Sequence, residues 1–272
     1  SNYTDLKDGA SHTYFCSGCN NTFTESHSYT NLLCVCGAAS SDAVASVSKN
    51  GKVVAAYTTL NDAIQAVKNC TAADKAVVTI LQDIALGNNI QGIYSGVFTI
   101  DLNGHEISST NASWGALYIH GCAPNVTIQG TGENSKITGN YAGIEISYGV
   151  NLTIAGGTIS GDWYGVYADG SNVTISGGSI SSNTFDIACY SSTVTLTVDE
   201  DGVGATFPGG IEVRVTTLNA ILGEGAAYWQ GNTMIIPADG ATEITGGDVV
   251  IKAVCPHTAS KTGYVDLKDG TN

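Results

Sequence analysis

From Phe98 onward, apolar and polar positions alternate in short runs, and the runs recur. Asn125-Val-Thr-Ile128 is followed by Asn151-Leu-Thr-Ile154, Asn172-Val-Thr-Ile175 and Thr193-Val-Thr-Leu196, at intervals of 26, 21 and 21 residues. A second series is Ile137, Ile159, Ile180; a third is Ile144, Val166, Ile187, with Ile146, Ala168 and Cys189 two residues behind. Alternation with a period of two is the signature of a strand. Three short strands per unit of about 21 residues, parted by Gly-Gly, Gly-Asp or Ser-Ser turns, make one coil of a parallel β-solenoid. No strand is long enough to stand alone, but stacking places like on like, so the Ile and Val columns face inward while Asn and Thr fall at corners or outside. A propeller blade needs about 40 residues and a sandwich has no fixed register, so neither fits.

The flanks of the repeat predict caps for the open sheet edges of a solenoid. Thr59-Leu-Asn-Asp62 is a capping box, and Leu60, Ala63, Ile64, Val67 and Cys70 have helical spacing, which predicts a short amphipathic helix between strands Val53–Ala56 and Val77–Leu81. At the far end, Thr217-Leu-Asn-Ala-Ile-Leu222 reads as a second short helix and residues 230–254 as closing strands. Tyr-Thr-Asp-Leu-Lys-Asp-Gly at 3–9 returns as Tyr-Val-Asp-Leu-Lys-Asp-Gly at 264–270, so a module that starts the chain begins again at its end. The expected division is a Cys/His module at 1–40, a capped solenoid at 41–254 and the start of a second Cys/His module at 255–272, the whole being a segment of a longer chain.

Composition narrows the function classes. Charged residues are 12% of the chain, Gly numbers 34 and Met 1, a mix that suits strands and turns rather than helices. The formal charge is −14, with 24 acids against 10 bases, and the one Arg is Arg214. A nucleic-acid partner needs a basic footprint that is missing here, and an anionic membrane surface is disfavoured for the same reason. No apolar run approaches the 18 or so residues that span a bilayer.

Six of the thirteen Cys and His residues crowd into positions 12–36 as H-x3-C-x2-C-x7-H-x6-C-x-C-G: His12, Cys16, Cys19, His27, Cys34 and Cys36. C-x2-C sets two thiolates on one tight turn, as a tetrahedral zinc ion requires. The segment is too short and polar to bury a core, so a structural metal would supply its folding energy. Disulfides or free thiols are the alternatives. The expected zinc ligands are Cys16 and Cys19 with two of His27, Cys34 and Cys36. Cys255 and His257 form a C-x-H that would serve the next module. Cys70, Cys122 and Cys189 are isolated, and Cys189 falls in an inward column, the position of a buried thiol.

The stretch YTTLNDAIQAV…VVTILQD…FTIDLNGHEIS, leading into N-V-T-I repeats, resembles the right-handed parallel β-helix of pectin-lyase-like proteins. More closely, it resembles the β-helix domains of Gram-positive bacterial surface proteins, and residues 12–37 are similar to the small zinc-ribbon-like modules beside them. The resemblance implies an all-β, right-handed parallel β-helix with a short capping helix, located extracellularly at a bacterial cell surface. Lyases of that superfamily use a base, often Arg or Lys, and a cation; here Lys136 is the only Lys between 76 and 251, so that pattern is unmatched. His105 lies in Asn-Gly-His-Glu without a nearby Asp pair, and Asp101 and His105 read as corner residues. Asp199-Glu-Asp-Gly202 reads as a solvated turn rather than a calcium site.

A non-catalytic display or binding domain is therefore expected, with a polysaccharide lyase or glycoside hydrolase, and a plain spacer, as alternatives. The third strand of each coil points Tyr118, His120, Glu145, Tyr167, Asp169 and Tyr190 outward, with Trp114 and Trp163 in the adjoining turns. Rings and acids on one face, free of Lys and Arg, suit an elongated glycan. The other expected partners are adjacent modules of the parent chain.

Overall fold

The computed structural model describes residues 3–121 and 123–196, and beyond them the backbone strands Ile211–Ile221, Tyr228–Gln230, Thr233–Ile235 and Ala241–Ile251. The repeat folds as expected into a parallel β-solenoid. Each coil contributes one strand to each of three sheets. One sheet stacks Val97–Asp101, Asn125–Gln129, Asn151–Ile154, Asn172–Ile175 and Thr193–Leu196. A second stacks Ile84–Ala85, Glu106–Ser109, Lys136–Gly139, Thr158–Gly161 and Ser179–Ser182. The third stacks Gln91–Ile93, Leu117–His120, Ala142–Ser147, Tyr164–Asp169 and Phe185–Tyr190.

The pairing is parallel and in register, and it lines up the columns read from the sequence. Ile128, Ile154, Ile175 and Leu196 are successive partners, as are Ile137, Ile159 and Ile180, and Ile144, Val166 and Ile187. The core is these columns: Ile128, Ile137, Ile144, Ile146, Ile154, Ile159, Val166 and Ile187 have no exposed surface. Burying an Ile of this kind contributes about 1.5–3 kcal/mol relative to leaving it in water. The corner between the second and third sheets has two residues in the regular coils, and there the chain passes itself closely. A Cβ on Gly139 would collide with the Ala142 carbonyl, and one on Gly161 with the Tyr164 carbonyl.

The first coil is closed by the helix Leu60–Val67, whose Thr59 hydroxyl accepts the Asp62 N–H at 3.1 Å and donates to the Asp62 carboxylate at 2.7 Å. Its Leu60, Ala63, Ile64 and Val67 are buried. Antiparallel strands Ala45–Lys49 and Lys52–Tyr57 continue the first sheet beyond Ala76–Ile80. The far end departs from expectation. Residues 217–221 belong to the strand Ile211–Ile221, which pairs parallel with Thr193–Leu196 and antiparallel with Ala241–Ile251. The β-branched run Val213, Val215, Thr216, Thr217 leads straight into the supposed helix, and ladder pairing on both sides outweighs its weak helical spacing. Thr233–Ile235 and Ala241–Ile251 supply the expected closing strands.

No helix among the described residues is long and apolar enough to cross a membrane. Cys122, Asp199-Glu-Asp-Gly202, Cys255, His257 and the second YxDLKDG lie outside the described residues, as does the side chain of Arg214.

Candidate metal centre and aromatic face

The Cys/His module is a three-stranded antiparallel sheet, Tyr3–Asp5, Ser11–Cys16 and Asn21–Ser26, followed by the small hairpin Tyr29–Thr30 and Leu33–Cys34. Asp8 shapes the turn into the second strand: its carboxylate accepts the Ala10 and Ser11 N–H groups at 2.9 and 2.8 Å and also the Ser11 hydroxyl. The hydroxyl and the two N–H groups hold its pKa down at about 2. Register places His12 opposite Glu25 on one side and Asp5 on the other. His27 follows the third strand, tied by its N–H to the Ala10 carbonyl at 2.8 Å. The hairpin reverses at Asn31 and Leu32, both with positive φ, the turn that matches strand twist. It carries Cys34 back to the two histidines, and the Gly37 N–H to Cys34 carbonyl bond folds Cys36 in beside it.

His12, His27, Cys34 and Cys36 thereby offer four ligand atoms that all lie within 4.8 Å of one another. The group could hold a metal ion. His12 Nδ1 lies 3.5 Å from Cys34 Sγ, the ligand–ligand edge expected of a tetrahedral zinc site with Zn–N of about 2.0–2.1 Å and Zn–S of about 2.3 Å. The imidazole rings of His12 and His27 stack at 5.5 Å, and both Nε2 atoms are buried without a hydrogen-bond partner. Their nearest carboxylates are Glu25, 3.8 Å from His12 Nε2, and Asp5, 3.6 Å from His27 Nε2. His12 faces Cys34 through Nδ1, so it is the His27 Nε2 that is left for an ion, and an orphaned buried nitrogen costs roughly 1–3 kcal/mol unless something binds it. His27 Nδ1 meets the Tyr29 hydroxyl at 3.0 Å, the outer contact that orients a ligating imidazole. Burial pushes the Cys34 thiol up, but the N–H groups of Cys36, Ser28 and Val35 more than offset it, leaving the thiol below its ordinary range. Burial raises Cys36. Cys34 and Cys36 also line a cleft of about 940 Å³ that runs to Gly51–Val54.

Three of the expected ligands lie in this cluster and two lie apart from it. His27, Cys34 and Cys36 come together, and His12 is the fourth member. Cys16 and Cys19 sit at the far end of the hairpin, four residues or about 13 Å along the strand from His12. The spacing of the strands around the C-x2-C tip held the missing signal. A tight turn over 17–20 pairs Cys16 with Asn21 and hence His12 with Glu25, two residues from His27.

On the solenoid, the outer face of the third sheet carries two clusters of rings. Trp114, Tyr118, His120 and Tyr148 make one, linked by ring distances of 5.0, 5.5 and 5.0 Å, with Tyr94 6.4 Å from His120. Tyr141, Tyr164, Tyr167 and Tyr190 make the other, with neighbouring rings 5.3–6.2 Å apart. Trp114, Tyr148 and Trp163 are exposed, and Asp169 is exposed at the strand end.

Glu145 differs from expectation. It occupies the row between Tyr118 and Tyr167, yet only 7% of its surface is exposed. The seven-residue connection 110–116 of the preceding coil lies over it, and the Gly115 N–H donates to its carboxylate at 2.9 Å. Burial raises the Glu145 pKa in spite of that bond. Burial, and then the nearby Glu145 charge, also drive the Tyr141 phenol up to about 12. Asp101 and His105 do keep corner roles: Asp101 accepts from Asn103 and Gln129, while His105 meets Asp83 at 3.2 Å.

No family model matches the chain, and no curated protein or solved structure does.

Proposed function

We propose that this chain is a non-catalytic display and binding segment of an extracellular bacterial surface protein. Its zinc-stapled module precedes a pectin-lyase-like β-helix that binds glycans along the outer face of its third sheet. The observation that carries this reading is the pair of ring clusters, which spread across adjacent coils on one face. Pyranose rings stack on aromatic faces, and exposed indoles such as Trp114 and Trp163 provide area at little conformational cost. The Asp169 carboxylate and the tyrosine hydroxyls supply hydrogen-bonding partners for sugar hydroxyls. The third sheet contains no Lys or Arg, which favours neutral chains over polyuronates. It also disfavours lyase chemistry, which needs a cation to neutralise a uronate. Glu145 is covered by residues 110–116 and so is badly placed to meet a substrate.

The test is retention on immobilised polysaccharides, run beside release of reducing ends from the same panel. Wild type should be retarded by at least one neutral polysaccharide and release nothing. Trp114→Ala with Trp163→Ala should abolish retention at an unchanged melting temperature, because both side chains are exposed. Release of sugar would replace this reading with a hydrolase, and absence of both would leave a spacer.

A further inference from the structure

We propose that Tyr148 is a sugar-binding residue held at a cost to the stability of the fold: its ring ends the first ring cluster and, with His120, makes a two-walled subsite for one unit of a neutral glycan. The proposal rests on the glycan reading of the third sheet and assigns a residue to it that the sequence did not single out for strain. Tyr148 sits at the corner where the third strand of a coil turns back towards the first sheet. Gly121 and Gly170 hold the same place in the coils on either side. The N–H groups of Gly121, Tyr148 and Gly170 donate to the carbonyls of Ser147, Asp169 and Tyr190, each at the end of the next coil's third strand. Register puts Ser191 there one coil further on. All four residues have positive φ, at 74°, 63°, 59° and 49° in chain order. Glycine adopts that conformation without strain, whereas a Cβ crowds the following carbonyl, and a bulky side chain is a genuine outlier. Of the four, only Tyr148 carries one.

Packing does not compensate for this strain. A Cβ on Gly121 or Gly170 would meet no heavy atom within 4 Å, so a side chain at this corner leaves the solenoid rather than fills it. Tyr148 is 69% exposed, more than any other exposed large apolar or aromatic residue among those described. A second cost lies beside it. The Ser147 hydroxyl is buried without a hydrogen-bond partner, between His120 and Asp169 in the register, and an unsatisfied buried hydroxyl opposes folding. Strain and an orphaned polar group at one point of a regular ladder mark a place kept for what it binds. The rings indicate what that is. Tyr148 meets His120 at 5.0 Å with the ring planes 71° apart, so two walls stand nearly at right angles. From His120 the rings continue through Tyr118 to Trp114, a run that follows one strand from corner to corner with Tyr148 at its end. A pyranose whose C–H face stacks on the Tyr148 wall turns its edge hydroxyls towards the imidazole, which has a nitrogen to pair with them.

The experiment is isothermal titration calorimetry of the full chain with cello-, manno-, xylo- and chitohexaose, run beside thermal melts. Wild type should bind at least one of these sugars. Tyr148→Gly should weaken that binding about tenfold or more and melt at the same temperature or higher, because it removes strain and no core contact. Tyr148→Phe keeps the ring and should bind within about threefold of wild type. If Tyr148→Gly binds like wild type while Trp114→Ala/Trp163→Ala has lost the sugar, this proposal is overturned and the glycan reading stands. A clear drop in the melting temperature of Tyr148→Gly would make the ring a structural one and overturn the proposal as well. A wild type that binds none of the hexaoses overturns it together with the reading on which it rests.

Discussion

Ile154→Ala tests the stacked column most sharply. Ile154 has no exposed surface and lies in register between Ile128 and Ile175, with Ile159 in the core of the same coil. Truncating a buried Ile to Ala costs about 2–5 kcal/mol, the larger values occurring where the cavity cannot collapse. Here collapse is resisted by backbone ladders on both sides, which hold the coils at their roughly 4.8 Å spacing. A cost of about 4 kcal/mol is therefore expected. The control is Thr153→Ala, one residue away on the same strand but facing outward, which should cost about 1 kcal/mol or less. Urea unfolding followed by circular dichroism reads both, with the difference appearing in the midpoint rather than the slope. If Ile154→Ala cost less than about 1 kcal/mol, or no more than Thr153→Ala, the inward column would be wrong.

Three further outcomes follow from the site geometry. Glu145 has its pKa raised in the folded state, so its contribution to stability is complete below its unfolded pKa and is lost as pH rises through the folded value; Glu145→Gln should remove that decline, and thermal melts from pH 4 to 8 would show it. Chelation, or His12→Ala, should unfold the Cys/His module, since the ion that would tie His27, Cys34 and Cys36 together is lost or loses a ligand; proteolysis confined to residues before about 40, with the solenoid intact, is the expected readout. Under native conditions Cys70 and Cys189 should resist alkylation, because both are buried and burial drives the Cys189 thiol far up, whereas Cys19 should react first in metal-free protein.

The solenoid was legible because its signal is repetition. Each Ile column recurs at the coil period, and the capping box at Thr59 announces the helix before it. Three features were not legible, each for a different physical reason. The Leu218 and Ile221 spacing suits a helix, but strands on either side claim the segment, and tertiary pairing overrides so short a local preference. Local spacing favours the C-x2-C pair over His12 because it says nothing of the antiparallel register that returns residue 12 to residue 27. Glu145 has the right parity to face outward and does so, but the loop that covers it comes from the preceding coil, and its path leaves no trace in the periodicity.

A broad glycan array tests most directly the proposal that the ringed face of the third sheet recognises glycans. Wild type and Trp114→Ala/Trp163→Ala should be probed side by side after matched melting curves. Wild type should light a related set of neutral glycans, and the variant, equally stable, should lose them all. Equal binding by the two proteins, or no binding by wild type to any glycan on the array, would contradict it.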